Sequence, residues 1–302
     1  MKIIRSRCSE LAKAQKKYFT TGDPESVHDL RVALRRLQAL LERFEDLLPR
    51  KKISPYRKTI RKALRRLGSL RELDIIIEAL DLCRKDLPPE EGNDLFLLTS
   101  RYTHNRKQQE RSVTKETAII LRKLDLADLK ELIKQHHRKH GSDVAGVSGT
   151  FLEYLYTILS AEFSRLLEHG NAIFNHADNA ALLHELRIDA KPFRYLFEIA
   201  AGMVPDLKEE YEVVKTFVGA LGEIHDADTF IPVLRGNLAE IQEYNLLFGD
   251  ARGRIAIGAE RRILSNLLSS RRQRVEDCTG ILQRWKSQGT QAIVFPSLSK
   301  TT

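Results

Sequence analysis

The sequence contains few cysteines, glycines, prolines and aromatic residues, and these shortages exclude several classes of protein. Its three cysteines, Cys8, Cys83 and Cys278, are far apart and lack the Cys-x-x-Cys spacing of zinc and redox sites. They predict neither a disulfide framework nor a zinc site, and they favour a reducing cytoplasm. Only 16 glycines and 9 prolines interrupt 302 residues. The chain therefore has few turn signals, and its abundant Leu, Arg, Glu, Lys and Ala favour helices.

Long apolar runs and strand-like alternation are also missing. No apolar stretch approaches the roughly 20 residues that a membrane span needs, and residues 1–7 are too polar for the apolar part of a signal peptide. Apolar residues instead recur every three or four positions, which is the period of an amphipathic helix. With 42% hydrophobic and 30% charged residues, the composition is that of a globular protein, and we predict an all-α fold.

Positive charge is abundant but unevenly distributed along the chain. The formal net charge is +9, yet residues 1–70 hold 19 Lys and Arg against 7 Asp and Glu, a local excess of +12. The remaining 232 residues hold 31 basic and 34 acidic residues, a local charge of −3. Such an excess indicates a polyanionic partner, which leaves nucleic acid, an anionic membrane surface and phosphate chains to be distinguished.

One segment shows the helical design most clearly. Asp23 suits the N-cap position, Pro24 suits the first helical position, and Pro49 is a stop signal. We therefore predict a helix that begins at Pro24 and ends before Pro49. Its apolar residues follow spacings of three and four and predict one buried stripe, which consists of Val27, Leu30, Leu34, Leu37, Leu41, Phe44 and Leu48.

The same stripe recurs in the second half of the chain. Seven residues each lie 156 positions after a member of the first stripe; they are Leu183, Leu186, Ala190, Phe193, Phe197, Ala200 and Val204. Pro205 repeats Pro49 at the same offset, and residues 221–228 resemble residues 67–74 at an offset of 154. We therefore predict an internal duplication. Two four-helix repeats, about 1–145 and 146–290, form one domain over residues 1–290 with pseudo-two-fold symmetry, and residues 291–302 form a tail.

A polar row runs beside each apolar stripe, one residue further along. It consists of His28, Arg31, Arg35 and Gln38 in the first half and of His184, Arg187, Lys191 and Arg194 in the second. Spacings of three and four keep each row on one helix face. A single row would be a solvated helix edge that covers the core. Because both copies begin with a histidine and keep the cations, we expect the rows to line one shared basic cavity.

The next segment adds a second set of cations. Arg57, Arg61 and Arg65 share one face, Lys58, Lys62 and Arg66 share the neighbouring one, and no acidic residue occurs between residues 56 and 66. Like charges at this spacing destabilise an isolated helix by a few tenths of a kcal/mol per pair. Such a helix is therefore expected to face a polyanion or an acidic neighbour.

These motifs resemble those of a known family. Residues 27–37, VHDLRVALRRL, resemble the leading signature of the CHAD domain, the conserved histidine α-helical domain. Residues 183–198 resemble its second-half signature, and residues 67–74 and 221–228 resemble the motifs that follow the third helix of each half. The resemblance covers about residues 5–285. It implies two four-helix repeats around a basic central cavity, binding of inorganic polyphosphate and association with polyphosphate granules in the cytoplasm.

The resemblance also implies which residues line the anion site. These are His28, Arg31, Arg35, Arg57, Arg61, His184, Arg187, Lys191 and Arg194, to which Arg36 and Arg65 are added as less direct matches. Two positions depart from the family pattern: Glu72 replaces the usual Asp, and Pro192 follows Lys191 where a basic residue is usual. A proline inside a helix removes one backbone hydrogen bond and tends to kink the helix. The directions of Lys191 and Arg194 therefore depend on how the helix accommodates Pro192.

Other functions receive less support from the sequence. His136, His137 and His140 form a cluster, but their basic surroundings and the following Gly141 favour a helix end over a metal site. Nucleic-acid binding would be expected to place aromatic residues among the cations, and aromatics make up only 7% of the chain. A metal or phosphohistidine role for His28 or His184 stays open.

The sequence also lacks the usual signs of an enzyme or a lipid-binding protein. It has no Gly-rich phosphate loop and no Gly-x-Ser-x-Gly motif, and we predict a binding protein without a cofactor. The apolar stripes are committed to the core, so we expect no membrane partner. Four acidic residues are expected to orient Arg71 and His225 by pairing with them; they are Glu72, Asp74, Asp226 and Asp228.

Overall fold

The computed structural model describes residues 2–85, 87, 93–140, 151–174, 179–248, 255 and 257–294, and these residues are almost entirely helical. No strand occurs within them, which confirms the predicted all-α fold. None of the helices in these ranges combines the length and apolar character that a membrane span requires. All three cysteines are free, as predicted. Gly141, which we expected to follow a helix end, and residues 295–302 of the predicted tail lie outside the described residues.

Helices occupy both predicted halves. The first half contains α1 (Lys2–Thr21), α2 (Pro24–Arg43), α3 (Arg50–Lys85), α4 (Asn93–Leu121) and α5 (Leu126–His140). The second half contains α6 (Phe151–Phe174), α7 (Ala180–Met203), α8 (Lys208–Phe248) and α9 (Gly258–Val294). The first half thus has one described helix more than the four we predicted. The internal symmetry and the domain boundaries remain predictions.

The ends of α2 were predicted with unequal success. Asp23 is the N-cap, its side chain accepts a hydrogen bond from the Ser26 backbone N–H at 2.6 Å, and Pro24 occupies the first turn. The helix ends before Pro49, as predicted, but earlier than the apolar stripe implied: α2 ends at Arg43, and a 3-10 helix follows at Glu45–Leu47. Phe44 and Leu48 are nevertheless buried. The apolar pattern therefore predicted burial correctly and overestimated the length of the helix.

Helix α7 is continuous through Pro192. Asn179 caps its N-terminus by accepting hydrogen bonds from the backbone N–H groups of Ala181 and Leu182. The helix ends at Met203, and a 3-10 helix at Pro205–Leu207 leads into α8, so the predicted stop at Pro205 is confirmed. Lys191 and Arg194 therefore lie on one uninterrupted helix with His184.

The predicted apolar stripes form the centre of the core. Five members of the first stripe, Val27, Leu30, Leu34, Leu37 and Leu41, are completely buried. The second stripe, from Leu183 to Ala200, is also buried.

An aromatic cluster extends this core in the second half. Trp285 on α9 is fully buried, packs edge-on against Phe163 and Phe217, and donates its indole N–H to Glu210 at 2.7 Å. Rings of this size contribute a large share of the buried apolar area.

Contacts between the two halves determine the position of the polar rows. Helix α2 packs against α7, and α3 packs against α8. Each polar row begins one residue after its buried stripe, so it lies on the flank of the face that is packed in the core. The packing of α2 on α7 therefore brings the two flanks to the same region of the molecule.

Candidate functional site

Arg31 is held against α3 by a specific backbone contact. Its guanidinium Nη1 donates a hydrogen bond to the Leu64 carbonyl oxygen at 2.7 Å. Gly68 lies beside this contact, and a Cβ atom there would meet the same nitrogen at an ordinary van der Waals distance of 3.7 Å. Burial, followed by repulsion from Arg35 and Arg71, lowers the pKa of Arg31 to about 10. Arg31 is thus a partly buried, oriented cation among other cations.

Lys191 brings a cation from α7 to the same place. It is only partly exposed, and its pKa is lowered to about 6, first by burial and then by repulsion from Arg35, Arg187 and Arg31. Two of these neighbours lie on α2, and the third lies on α7 itself. Burial also lowers the pKa of Arg187, with a further contribution from Arg35. The predicted rows of the two halves therefore meet.

We define the basic cluster as the five cations that these interactions connect: Arg31, Arg35, Arg71, Arg187 and Lys191. Arg71 on α3 was not among the predicted site residues. A signal for it existed, because it lies within residues 67–74, the segment that resembles residues 221–228. Its nearest acidic partner is the exposed Glu78, whose Oε2 lies 3.8 Å from Arg71 Nη1.

Three members of the basic cluster lack direct partners. Among the described residues, the side chains of Arg35, Arg187 and Lys191 form no hydrogen bond and no ion pair within 4.0 Å. The Nε atom of Arg187 is buried and makes no hydrogen bond to any described group. Removing a charge from water without pairing it is costly. The basic cluster is therefore an arrangement that a bound anion would stabilise.

Asp226 is the carboxylate most closely associated with the cluster. Burial raises its pKa, while Arg187, Arg71 and Lys191 oppose that change by favouring the charged form. Its Oδ1 atom is buried, with no hydrogen-bond partner among the described groups. Asp226, Glu78 beside Arg71, and Glu72, which acts on Arg31, are three carboxylates against four arginines and Lys191, so the cluster keeps a positive excess.

The expected roles of two other acidic residues were wrong. Asp74 binds Arg106 instead of Arg71, with Arg106 Nε donating to Oδ1 at 2.6 Å. Asp228 binds Arg271 instead of His225, and Arg271 Nε also donates at 2.6 Å. Each arginine lies on the helix that follows the helix of its acid, so the two pairs join α3 to α4 and α8 to α9.

The two predicted histidines have different surroundings. His184 lies beside His225 of α8, with their Nδ1 atoms 3.3 Å apart and their ring centroids 5.1 Å apart. Burial, followed by Arg187 and His184, lowers the pKa of His225 to about 4. His28 lies near Arg71 at another edge of the cluster, and burial and then Arg71 lower its pKa. His225 is thus a site candidate that we had not predicted.

The predicted cations of α3 have surroundings of their own. Arg57 pairs with Glu45 at 2.8 Å, and Arg61 lies 4.0 Å from Glu42. Arg65 is exposed. Two of these three cations therefore have an acidic neighbour. We expected this helix to face either such a neighbour or a polyanion.

Arg36 and Arg194 lie in a different environment from the cluster. Arg36 Nη2 lies 3.0 Å from Glu198 of α7, and Arg7 of α1 binds the same carboxylate at 3.2 Å. The guanidinium of Arg194 lies 5.3 Å from the ring centroid of Tyr195. Arg36 therefore takes part in an ion-pair network that joins α1, α2 and α7.

The described part of the chain contains no set of side chains that forms a metal site. No group of three His, Cys, Asp or Glu side chains there is arranged to hold a metal ion. His136 and His137 belong to α5, and the side chain of His140 lies outside the described residues. The His184–His225 pair contains only two metal-ligating side chains.

Comparison with known proteins identifies one family by sequence and a similar fold by structure. The sequence model of the CHAD domain matches residues 2–235. The crystal structure of the CHAD domain from the plant Ricinus communis is similar, with a TM-score of 0.65 and 18% identity over 94% of this chain and 90% of that one. PptA from Streptomyces chartreusis has a TM-score of 0.53 and 17% identity over 93% and 95%. No curated protein sequence is significantly similar. Identities this low show a shared fold alone.

Proposed function

This chain belongs to the CHAD domain family, and from that premise we propose that its basic cluster binds inorganic polyphosphate. One observation carries the proposal: Arg35, Arg187 and Lys191 are partly buried together, and none has an ion-pair partner within 4.0 Å among the described residues. Phosphate oxygens accept hydrogen bonds only, while guanidinium and ammonium groups donate only. A linear polyanion would supply the missing partners to several of these cations at once.

The positions of the aromatic rings favour a phosphate chain over a nucleic acid as the ligand of the cluster. Single-stranded nucleic acids gain affinity by stacking bases on aromatic side chains near the cations. In the described structure, the arginines that lie over aromatic rings are Arg84, Arg101 and Arg194, and none of them belongs to the basic cluster. A polyphosphate chain needs no stacking surface, and it is thinner than a strand that carries bases. We also propose that this binding directs the protein to polyphosphate granules in the cytoplasm.

Binding measurements with matched variants test the site. The double variant R35Q/R187Q removes two unpaired cations and leaves the Arg31 contact to Leu64 intact. The control K58Q/K62Q removes two exposed charges from α3. Because hydrogen bonds to charged groups contribute about 1.5–3 kcal/mol each, we expect the cluster variant to bind long-chain polyphosphate at least about tenfold more weakly. The control should change the affinity less than about threefold.

Two outcomes would contradict the assignment. Equal losses in the two variants would mean that overall charge, and not the cluster, determines binding. Unchanged affinity in a folded R35Q/R187Q, checked by circular dichroism, would remove the cluster from the site. Competition provides the functional control: displacement of polyphosphate by duplex DNA at equal phosphate concentration would favour a general polyanion binder. For the wild type, affinity should fall steeply with salt concentration.

A further inference from the structure

Lys191 differs chemically from the other members of the basic cluster. Arg31, Arg35, Arg71 and Arg187 carry guanidinium groups, which keep their proton at any pH near neutrality. The lysine ammonium is the one group of the five that is able to lose its proton and relieve the mutual repulsion. Lys191 is partly buried, follows Arg187 by about one helical turn on α7, and makes no hydrogen bond and no ion pair within 4.0 Å among the described residues. This packing concentrates the acid–base response of the cluster at one nitrogen, Lys191 Nζ.

Charged groups on α2, α7 and α8 act on this nitrogen. From α2 come Arg31 and Arg35, and from α7 itself comes Arg187; all three oppose the ammonium form. The described groups of α8 and α3 that act on Lys191 or on its neighbours are Asp226, His225, Arg71, Glu72 and Glu78. Only Asp226 among the principal influences on Lys191 favours the charged form.

His225, in the histidine pair beside the cluster, adds little positive charge of its own. With His184 and His225 joined through Nδ1 atoms 3.3 Å apart, one nitrogen must donate and the other accept. A second proton between them would break the contact. The low pKa of His225, about 4, agrees with this geometry. His225 therefore stays neutral near pH 7, and within the basic cluster the group that can take up an additional proton is Lys191.

We propose that polyphosphate binding is coupled to the uptake of a proton by Lys191, so that the protein binds the chain more tightly as the pH falls. This inference rests on the proposed function. The step breaks no covalent bond of the ligand: a buffer acid gives up one proton, and the neutral Nζ amine of Lys191 accepts it as phosphate oxygens approach. The Lys191 ammonium then donates hydrogen bonds to those phosphate oxygens. They become the partners that Lys191 lacks in the free protein.

The size of the effect follows from linkage. In the free protein the pKa of Lys191 is about 6, so the amine is mostly neutral at pH 8. A nearby row of phosphate oxygens raises that pKa, because opposite charges favour the ammonium form. Uptake of one proton increases the affinity by roughly tenfold for each unit of decrease in pH. We expect this slope between pH 8 and pH 7 and a flatter profile below pH 6.

Calorimetry measures the proton directly. Binding of long-chain polyphosphate is titrated at pH 7.5 and fixed ionic strength in two buffers with different protonation enthalpies. The wild type should take up close to one proton for each cluster that is filled. K191R carries a permanent charge at the same position, so its uptake should fall by about one proton and its affinity should depend less on pH. K62R is the matched control on exposed α3 and should keep the wild-type proton uptake.

Nuclear magnetic resonance gives a second measurement, which uses the wild-type protein and does not depend on binding by a variant. With the lysine side chains labelled with 13C at Cε, Lys191 should titrate below pH 8 in the free protein and above pH 9 in the complex. Binding with no proton uptake, equal uptake by K191R and the wild type, or a free-state titration above pH 9 would each overturn this inference. The first two results leave the proposed function intact. Absence of polyphosphate binding by the wild type would instead overturn the proposed function itself.

Discussion

Replacing Lys191 by methionine should stabilise the free protein, although Lys191 is proposed to be a ligand-binding residue. Methionine keeps a long, flexible apolar side chain and removes the amine that burial and three arginines disfavour in its charged form. A lysine that only stabilises the fold is not expected to lie where its surroundings oppose its protonation. The prediction concerns the unliganded protein and does not depend on polyphosphate.

The magnitude follows from the two protonation equilibria. In the unfolded chain the pKa of this lysine is taken as 10.5, and in the folded protein it is about 6. Between these values the unfolded state binds more protons, so the stability of the wild type rises with pH in that window. At pH 7 the lysine costs at most about 5 kcal/mol of stability. This cost, and with it the advantage of K191M, should fall by about 1.4 kcal/mol for each pH unit up to pH 9.

Urea denaturation at pH 7, 8 and 9 provides the assay, since urea does not screen charges. We expect K191M to have a larger free energy of unfolding than the wild type at pH 7, and the difference to shrink at each higher pH. K62M, at an exposed position of α3, should differ from the wild type by less than about 0.5 kcal/mol at every pH. An advantage of K191M that stays constant with pH, or a loss of stability at all three values, would refute the reasoning.

Three further predictions concern contacts that hold the helices in place, each measured by urea unfolding. Asp74→Asn should cost about 2 kcal/mol, because it removes the charge from a buried 2.6 Å bond to Arg106, while Arg106 keeps Glu110 as a second partner; a loss under about 1 kcal/mol would contradict this. Asp23→Ala should cost about 1 kcal/mol by removing the α2 cap, and Asp23→Ser should restore most of it; equal losses would exclude capping. Glu198→Gln should cost about 1–3 kcal/mol, since Arg36 loses its 3.0 Å partner; an unchanged midpoint would show that this network contributes nothing.

The fold class followed from local pattern alone. The stripe that begins at Val27 and its counterpart at Leu183 are both buried, as their spacing predicted. Periodicity indicates burial because each helical residue turns by about 100°, so a face repeats every three or four residues. The same pattern misjudged the end of α2, since Phe44 and Leu48 are buried outside the helix. A side chain can reach the core from a 3-10 turn as well.

The sequence by itself determined which cations share a helix face, because that depends only on spacing along one helix. It placed Arg31 and Arg35 on one face of α2, and Arg187 and Lys191 on one face of α7. The tertiary structure decided which of these faces meet and which cations have partners. Arg35 and Arg36 are adjacent in sequence but point about 100° apart on the helix, so Arg35 approaches Lys191 while Arg36 binds Glu198. Those neighbours lie on α7, more than 150 positions away, and no local spacing encodes a contact across that distance.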